Sequence, residues 1–320
     1  MNFHASSISE GHVRRVGRRA RVTVAAVQVL FDQGKSDDEM ASALECSVQT
    51  IRNKRLANGM LRQKGRRSES KPRKVKQRFA GHVHGERRGR VVRLQPSHPA
   101  IADGRTLFRS TVVPVEGLLN VLVSGENSRK IGDRVIKGSW IGFPIFTLTL
   151  EERATCPRSC RHWSDCYGNN MHLAKRIRHD AAFEERLGHE LAILNSRYPK
   201  GFVVRLHVLG DFYSFEYVGL WASFLDRFAA LRVFGFSARW NMKDDPIADA
   251  LVRLVMANQK RFVIRFSDAP IDKFSTVSIK READAPADAI VCPQQTGRTP
   301  NCGSCSLCWS TTKRIAFIQH

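Results

Sequence analysis

Between residues 172 and 267 the apolar positions change rhythm repeatedly, from every second residue to every third or fourth and back. Such switching marks strands and helices that follow one another. Leu173, Ile177, Ala181, Leu187, Leu191 and Leu194 fall on one stripe, which predicts a long helix over 172–194. FVVRLHVLGDFYS then reads as a strand ending at Gly210-Asp211. Ser214 caps a helix in which Tyr217, Leu220, Trp221, Phe224, Leu225 and Phe228 keep the spacing of a buried helical face. RVFGFSARW predicts another strand, Asp245-Pro246 opens the helix IADALVRLVMA, and RFVIRFSDAP predicts one more strand. Upstream, STVVPVEG, LLNVLVSG and WIGFPIFTLTL are apolar runs separated by Gly and Asn turns. This alternation predicts an α/β fold, a partial or full β/α barrel-like domain over 104–290.

A different rhythm occupies the first fifth of the chain. VTVAAVQVLFDQ carries Val24, Val27, Val29, Leu30 and Phe31 in helical order, and Gly34 is placed to end that helix. Ser36 with Glu39 fits a capping box, after which Met40, Ala43 and Leu44 would face inward. A break at Glu45-Cys46 leads to Ser47, a good N-cap for VQTIRNKRLA. Cys46 stands alone here and reads as a small core residue. Helix, tight turn and a second helix rich in Gln, Asn and Arg resemble a helix-turn-helix, a small all-α domain over 22–62. In such domains the second helix enters the major groove. Gln49, Thr50, Arg52, Asn53 and Arg55 are therefore the expected base readers and phosphate contacts. Gln and Asn match adenine, Arg matches guanine or phosphate. The alternative is a small helical bundle with a solvated basic face.

Charge sharpens this picture. The 320-residue chain carries a formal net charge of +22, which attracts polyanions, nucleic acid first among them. From Arg52 to Arg93 there are sixteen Lys and Arg against two acids, Glu69 and Glu86. Residues 62–80 have almost no apolar periodicity, so 63–103 reads as a basic linker lying along phosphate, with a basic tail over 1–21. No secretory signal and no apolar run of membrane-spanning length is visible, so the expectation is a cytoplasmic protein without a membrane partner. Its oligomeric state is not legible.

In a reducing compartment clustered cysteines favour metal or redox chemistry over disulfides. Seven of the eight cysteines form two clusters. Cys156, Cys160 and Cys166 follow WIGFPIFTLTL as C-x3-C-x5-C. Three thiolates leave one position of a tetrahedral ion or a four-iron cube free, and open sites are the reactive ones. His162 in the same loop would close the site if it were the fourth ligand. Cys292, Cys302, Cys305 and Cys308 supply a complete shell, in what reads as a four-cysteine metal-binding tail over 291–320. The spacing leaves zinc and iron–sulfur both open. Polar pairs share a face near the ends of successive strands: Arg205 with His207, Ser237 with Arg239, Arg265 with Ser267. In α/β folds active sites gather at that edge, which predicts a shared polar, cationic pocket.

LTLEERATCPRSCRHWSDCYGNNM, RLHVLGDFYS and CPQQTG…CGSCSLCW together resemble the gene-product-88-like family of phages and mobile elements, over about residues 105–310. The order of parts also resembles the radical S-adenosylmethionine enzymes. That resemblance implies a four-iron cluster on Cys156, Cys160 and Cys166 with S-adenosylmethionine on its free iron. It implies that Gly210 and Asp211 stand near the amino group of that cofactor, and that Ser267 and Asp268 stand near its ribose. It implies an auxiliary cluster on the four-cysteine tail. Asp211, Arg239 and Arg265, at the strand ends, are the catalytic candidates. The second gap of five residues departs from the usual two, and Gly-Asp-Phe replaces the usual Gly-Gly-Glu element. The reading is a nucleic-acid-associated iron–sulfur enzyme of that kind. The alternatives are a DNA-binding regulator with structural zinc or a redox-sensing centre, and a nuclease with Asp211, Asp268 and His207 as metal ligands.

Overall fold

A computed structural model describes residues 22–60, 91–241, 243–270 and 273–319. The chain divides into two compact units, Met1–Arg78 and Phe79–His320. The basic tail over 1–21 and residues 61–90 of the basic linker lie outside the described residues.

The first unit holds α1 (Val24–Asp32), α2 (Asp37–Ala43) and α3 (Val48–Ala57). Each start is fixed by a local cap. Thr23 accepts the Ala26 N–H, Ser36 and Glu39 form the expected capping box, and Ser47 accepts the Thr50 N–H. Val27, Met40, Ala41, Ile51 and Met60 make the core, with Cys46 packed at its margin. Ala41 rather than Ala43 faces inward, while Ala43 is exposed.

The second unit opens with α4 (Pro99–Ala102), β1 (Val112–Val113), β2 (Val123–Ser124) and β3 (Ile145–Thr147). Then come β4 (Arg176–Ile177), α5 (Ala181–Arg197), β5 (Phe202–Leu206), α6 (Phe215–Arg227), β6 (Leu231–Ser237), α7 (Pro246–Ala257) and β7 (Phe262–Ser267). The chain ends through β8 (Ser275–Ile279), β9 (Ala289–Val291), α8 (Cys302–Cys305), α9 (Leu307–Ser310) and β10 (Arg314–Ile318). The fold is α/β: one eight-stranded sheet in the order β2-β3-β5-β6-β7-β8-β10-β9, parallel except for β2, plus a parallel β1–β4 pair. Among the described residues no ladder joins β2 to β9, so the sheet is open.

The central strands are buried on both faces, as parallel strands covered by helices are. Phe183, Phe202, Phe212, Tyr217, Trp221, Phe224, Phe234 and Phe262 fill the core around them. Strand contact is so close at Gly235 that a Cβ there would stand 1.7 Å from the Leu206 carbonyl oxygen.

Three expectations change. The helix foreseen over 172–194 begins only at Ala181, capped by Asp180. Leu173 is 84% exposed, and Arg176 and Ile177 instead form β4. Residues 91–103, assigned to the linker, belong to the second unit: the Leu94 N–H donates to the Ser164 carbonyl, and Leu94 is buried. The segment foreseen as a tail is built into the sheet, because β10 pairs with β8 on one side and β9 on the other. No helix among the described residues is long and apolar enough to cross a membrane.

Candidate metal centre

The three-cysteine loop leaves the sheet at the exit of β3, and a frame of charged residues holds it there. Glu151 accepts two bonds from Arg105 at 2.7 and 2.9 Å and one from the Thr106 N–H. Glu152 accepts two bonds from Arg176 at 2.6 and 2.9 Å, with both side chains buried. Arg153 donates to the Trp163 carbonyl and to Asn169 Oδ1. Arg176 also donates to the Gly168, Met171 and Ala174 carbonyls, which follow the third cysteine. Glu151, Glu152 and Arg153 thus tie the start of the loop to its end. Sequence reasoning missed them, although three charged residues directly after an apolar strand were a usable signal.

Within this frame the three thiols stand in electrostatic reach of one another. Burial, then the Asp211 carboxylate and the two sister thiols, push the Cys156 thiol well above its ordinary value. Burial raises Cys160 to about 12, with Cys166, Asp211 and Asp268 adding to it. Cys166 is raised to about 11, again chiefly by burial. Thiols so placed stay protonated unless a cation compensates them.

The exits of β5, β6 and β7 bring up the next side chains. Gly210 adopts φ +87°, and a Cβ there would stand 2.6 Å from Thr155 Oγ1 and 2.7 Å from Leu150 Cβ. Glycine lets the β5 exit lie directly against the start of the cysteine loop. The Asp211 carboxylate accepts from the Phe212 N–H, the Ser237 hydroxyl and the Ala238 N–H at 2.7–2.8 Å. Burial nevertheless raises its pKa to about 6. Arg239 bonds the Phe212 carbonyl and Asp245. It borders a cavity of about 680 Å³ with Cys156, Ser159, Trp240 and Asn241.

Asp268, at the exit of β7, accepts from the Ser278 N–H at 2.7 Å and the Ser278 hydroxyl at 3.1 Å. Ser267, beside it, is half-buried and pairs in register with Thr276 of β8. His162 is committed on both ring nitrogens: Nδ1 meets Asp165, while Nε2 meets Ser278 and Asp268. Hydrogen bonding to Asp268 raises its pKa. This histidine anchors the loop to β8.

Two pocket expectations are corrected. Arg265 is fully buried, and its guanidinium donates to the carbonyls of Leu307, Cys308, Thr311 and Lys313. It clamps the four-cysteine segment, spends four of its five donors there and has no exposed surface to offer a substrate. His207 is buried beside Tyr217, where burial holds its pKa down near about 3.

Burial, then Cys302, Cys292 and Cys305, raise the Cys308 thiol, so all four thiols share one neighbourhood. The segment docks on a loop of the second unit: the Cys302 N–H donates to the Lys130 carbonyl and the Gly303 N–H to the Ile131 carbonyl. A Cβ at Gly303 would stand 2.1 Å from the Arg134 carbonyl oxygen. Trp309 stacks on Trp140 with ring centroids 5.5 Å apart. Among the described residues no set of three or more His, Cys, Asp or Glu side chains stands close enough to hold a metal ion. Comparison with protein-family models, with curated proteins and with solved structures returns no match.

In the first unit Gln49, Arg52 and Asn53 are exposed on one stripe of α3, with Gln49 donating to Asn53 at 2.8 Å. Thr50 is half-buried and bonded to Ser47. Arg55, expected as a reader, is buried: it pairs with Asp37, donates to the Met60 carbonyl at 2.6 Å and lies over the Phe31 ring. Its position at i+4 from Ile51 places it on the core side of α3.

Proposed function

We propose that the protein is a nucleic-acid-associated iron–sulfur enzyme of radical S-adenosylmethionine type, with an open cluster on Cys156, Cys160 and Cys166. The single observation that carries this reading is that the three thiols follow the exit of β3 within electrostatic reach of one another, though not as close as ligands of one bound ion. There they share one electrostatic neighbourhood with Asp211 and Asp268, from the exits of β5 and β7. The donor set is chemically suited: three thiols are soft ligands once a metal displaces their protons. The residues alone leave zinc and iron–sulfur both open, and the resemblance to the radical S-adenosylmethionine enzymes is what selects iron–sulfur. Cys292, Cys302, Cys305 and Cys308 would hold the auxiliary cluster.

When bound and reduced, such a cluster supplies an electron to S-adenosylmethionine and starts radical chemistry. The chain's own residues prepare the place. Gly210 lets the β5 exit close against the loop, and Asp211 is held by three donors. The cavity beside Cys156 is of ligand size. Asp268, fixed by Ser278, presents a carboxylate on the opposite side, and buried aromatic rings behind the site keep water out. The exposed stripe Gln49, Arg52 and Asn53 would bring the enzyme to nucleic acid. The resemblance to the gene-product-88-like family agrees with the order of these parts. A partial barrel, open at its edges, would leave this face accessible, and the four-cysteine segment would close one end of it.

Protein purified without oxygen should be brown and absorb near 400 nm, with iron and sulfide by analysis. Cys160→Ala should lose the iron of the open cluster and reductive cleavage of S-adenosylmethionine, while nucleic-acid binding persists. Colourless protein without iron, or a variant that cleaves as wild type does, overturns the reading.

A further inference from the structure

A second cavity, of about 580 Å³, opens on the other flank of the cysteine loop and has Cys156 in its wall. Four arginines line it, Arg105, Arg153, Arg158 and Arg178, against the two carboxylates Asp103 and Glu151. Most of these charges are already satisfied. Arg105 is paired with Glu151, and Arg109 pairs with Asp103. Arg153 is spent on the Trp163 carbonyl and Asn169.

Two cations remain. Arg158 lies 5.3 Å over the Trp163 ring and makes only long bonds, at 3.4 and 3.2 Å, to the Ile101 and Ala102 carbonyls. Arg178 is exposed, and its guanidinium has no partner among the described residues. His179 bounds the cavity with its ring packed on Tyr213. Two guanidiniums with spare donors match a phosphate group, which offers several acceptor oxygens and negative charge.

We infer that this cavity binds a phosphate group of a nucleotide or nucleic-acid strand, held between Arg158 and Arg178. The inference goes beyond the proposed function and does not rest on it, because neither contact involves a metal. Cys156 in the wall would set such a ligand beside the open centre.

The test is calorimetric titration of the full chain with inorganic pyrophosphate. Arg178→Gln is compared with Arg253→Gln, which removes the same charge from α7 outside the cavity. Arg178 has no partner to lose, so this variant should fold as wild type does. Arg178→Gln should weaken binding about tenfold, the loss expected for one charge-assisted contact, and Arg253→Gln should leave it within about twofold. Equal weakening in the two variants, or none in Arg178→Gln, overturns the inference. Competition separates the sources: displacement of pyrophosphate by ADP marks a nucleotide pocket, and displacement by a single-stranded oligonucleotide marks a strand track. The binding is read without reference to iron, so its failure leaves the cluster untouched, and colourless protein leaves this result standing.

Discussion

Replacing Glu152 by Gln removes one charge from the most deeply buried ion pair of the second unit. The Glu152 side chain is 1% exposed and that of Arg176 is not exposed at all. The carboxylate accepts both arginine bonds and the Thr106 hydroxyl at 2.8 Å. A glutamine keeps one oxygen, but its amide nitrogen turns donors toward a guanidinium that is itself all donors. Arg176 then stays charged and buried, with carbonyls and Thr111 as its remaining acceptors. Breaking one side of a buried pair costs about 3–5 kcal/mol. The surviving carbonyl bonds place this case near about 3 kcal/mol. For a unit of this size each kcal/mol lowers the melting temperature by about 2–4 °C. Glu152→Gln should therefore melt roughly 6–12 °C below wild type by circular dichroism.

The double variant Glu152→Gln, Arg176→Met removes the stranded charge and should recover part of that loss. A double-mutant cycle with Arg176→Met isolates the coupling. A Glu152→Gln protein melting within about 2 °C of wild type, or a double variant equal to the sum of its singles, would refute the reasoning. The same pair holds the Gly168 carbonyl just after Cys166. The destabilised variant should also retain less iron than wild type when purified without oxygen.

Two further predictions turn on which side chains are buried. In the first unit the exposed Arg52, as Arg52→Ala, should lower the salt dependence of nucleic-acid binding by about one unit of slope and leave the melt unchanged. Arg55→Ala should cost about 2–3 kcal/mol, because it removes the close partner of Asp37 and empties a core position; anisotropy titrations and thermal melts separate the two, and the reverse pattern would reassign their roles. His207 is held neutral down to about 3, by burial first and Arg205 second. The unfolded chain takes up that proton below about 6.5 while the folded chain does not, so stability falls as pH drops through the interval between the two values. By pH 4.5 the loss is on the order of 3 kcal/mol. Urea unfolding of His207→Leu should show that much less acid sensitivity between pH 7 and 4.5, and an unchanged loss would sink the assignment.

What was legible in the sequence was whatever acts over a few residues. Ser36 with Glu39, Ser47, Ser214 and Asp245-Pro246 each cap a helix within three positions, and each helix starts where its cap stands. The apolar alternation of FVVRL and RVFGFS fixed two central strands for the same reason. Long-range partners were not legible. Nothing near Arg176 says that Glu152, 24 residues away, will draw it out of a helix and into a strand. β10 is short, and its place between β8 and β9 depends on three segments that the chain brings together only on folding.

The arginines show the limit most clearly. Arg55, Arg239, Arg265 and Arg178 are alike in the sequence, each a cation in or near a regular element. What separates them is the set of acceptors the fold happens to place around each one. Four carbonyls take Arg265 out of any binding role, and a carboxylate with a carbonyl does the same to Arg55. Arg178 meets no acceptor at all among the described residues, and it stands on a cavity wall. A guanidinium with its donors spent is part of the scaffold, and one with its donors free is where a ligand's oxygens find partners. Subtracting every assigned internal acceptor leaves Arg158 and Arg178 with donors to offer on a cavity wall, and it is there, rather than at Arg265, that the proposed phosphate site is placed.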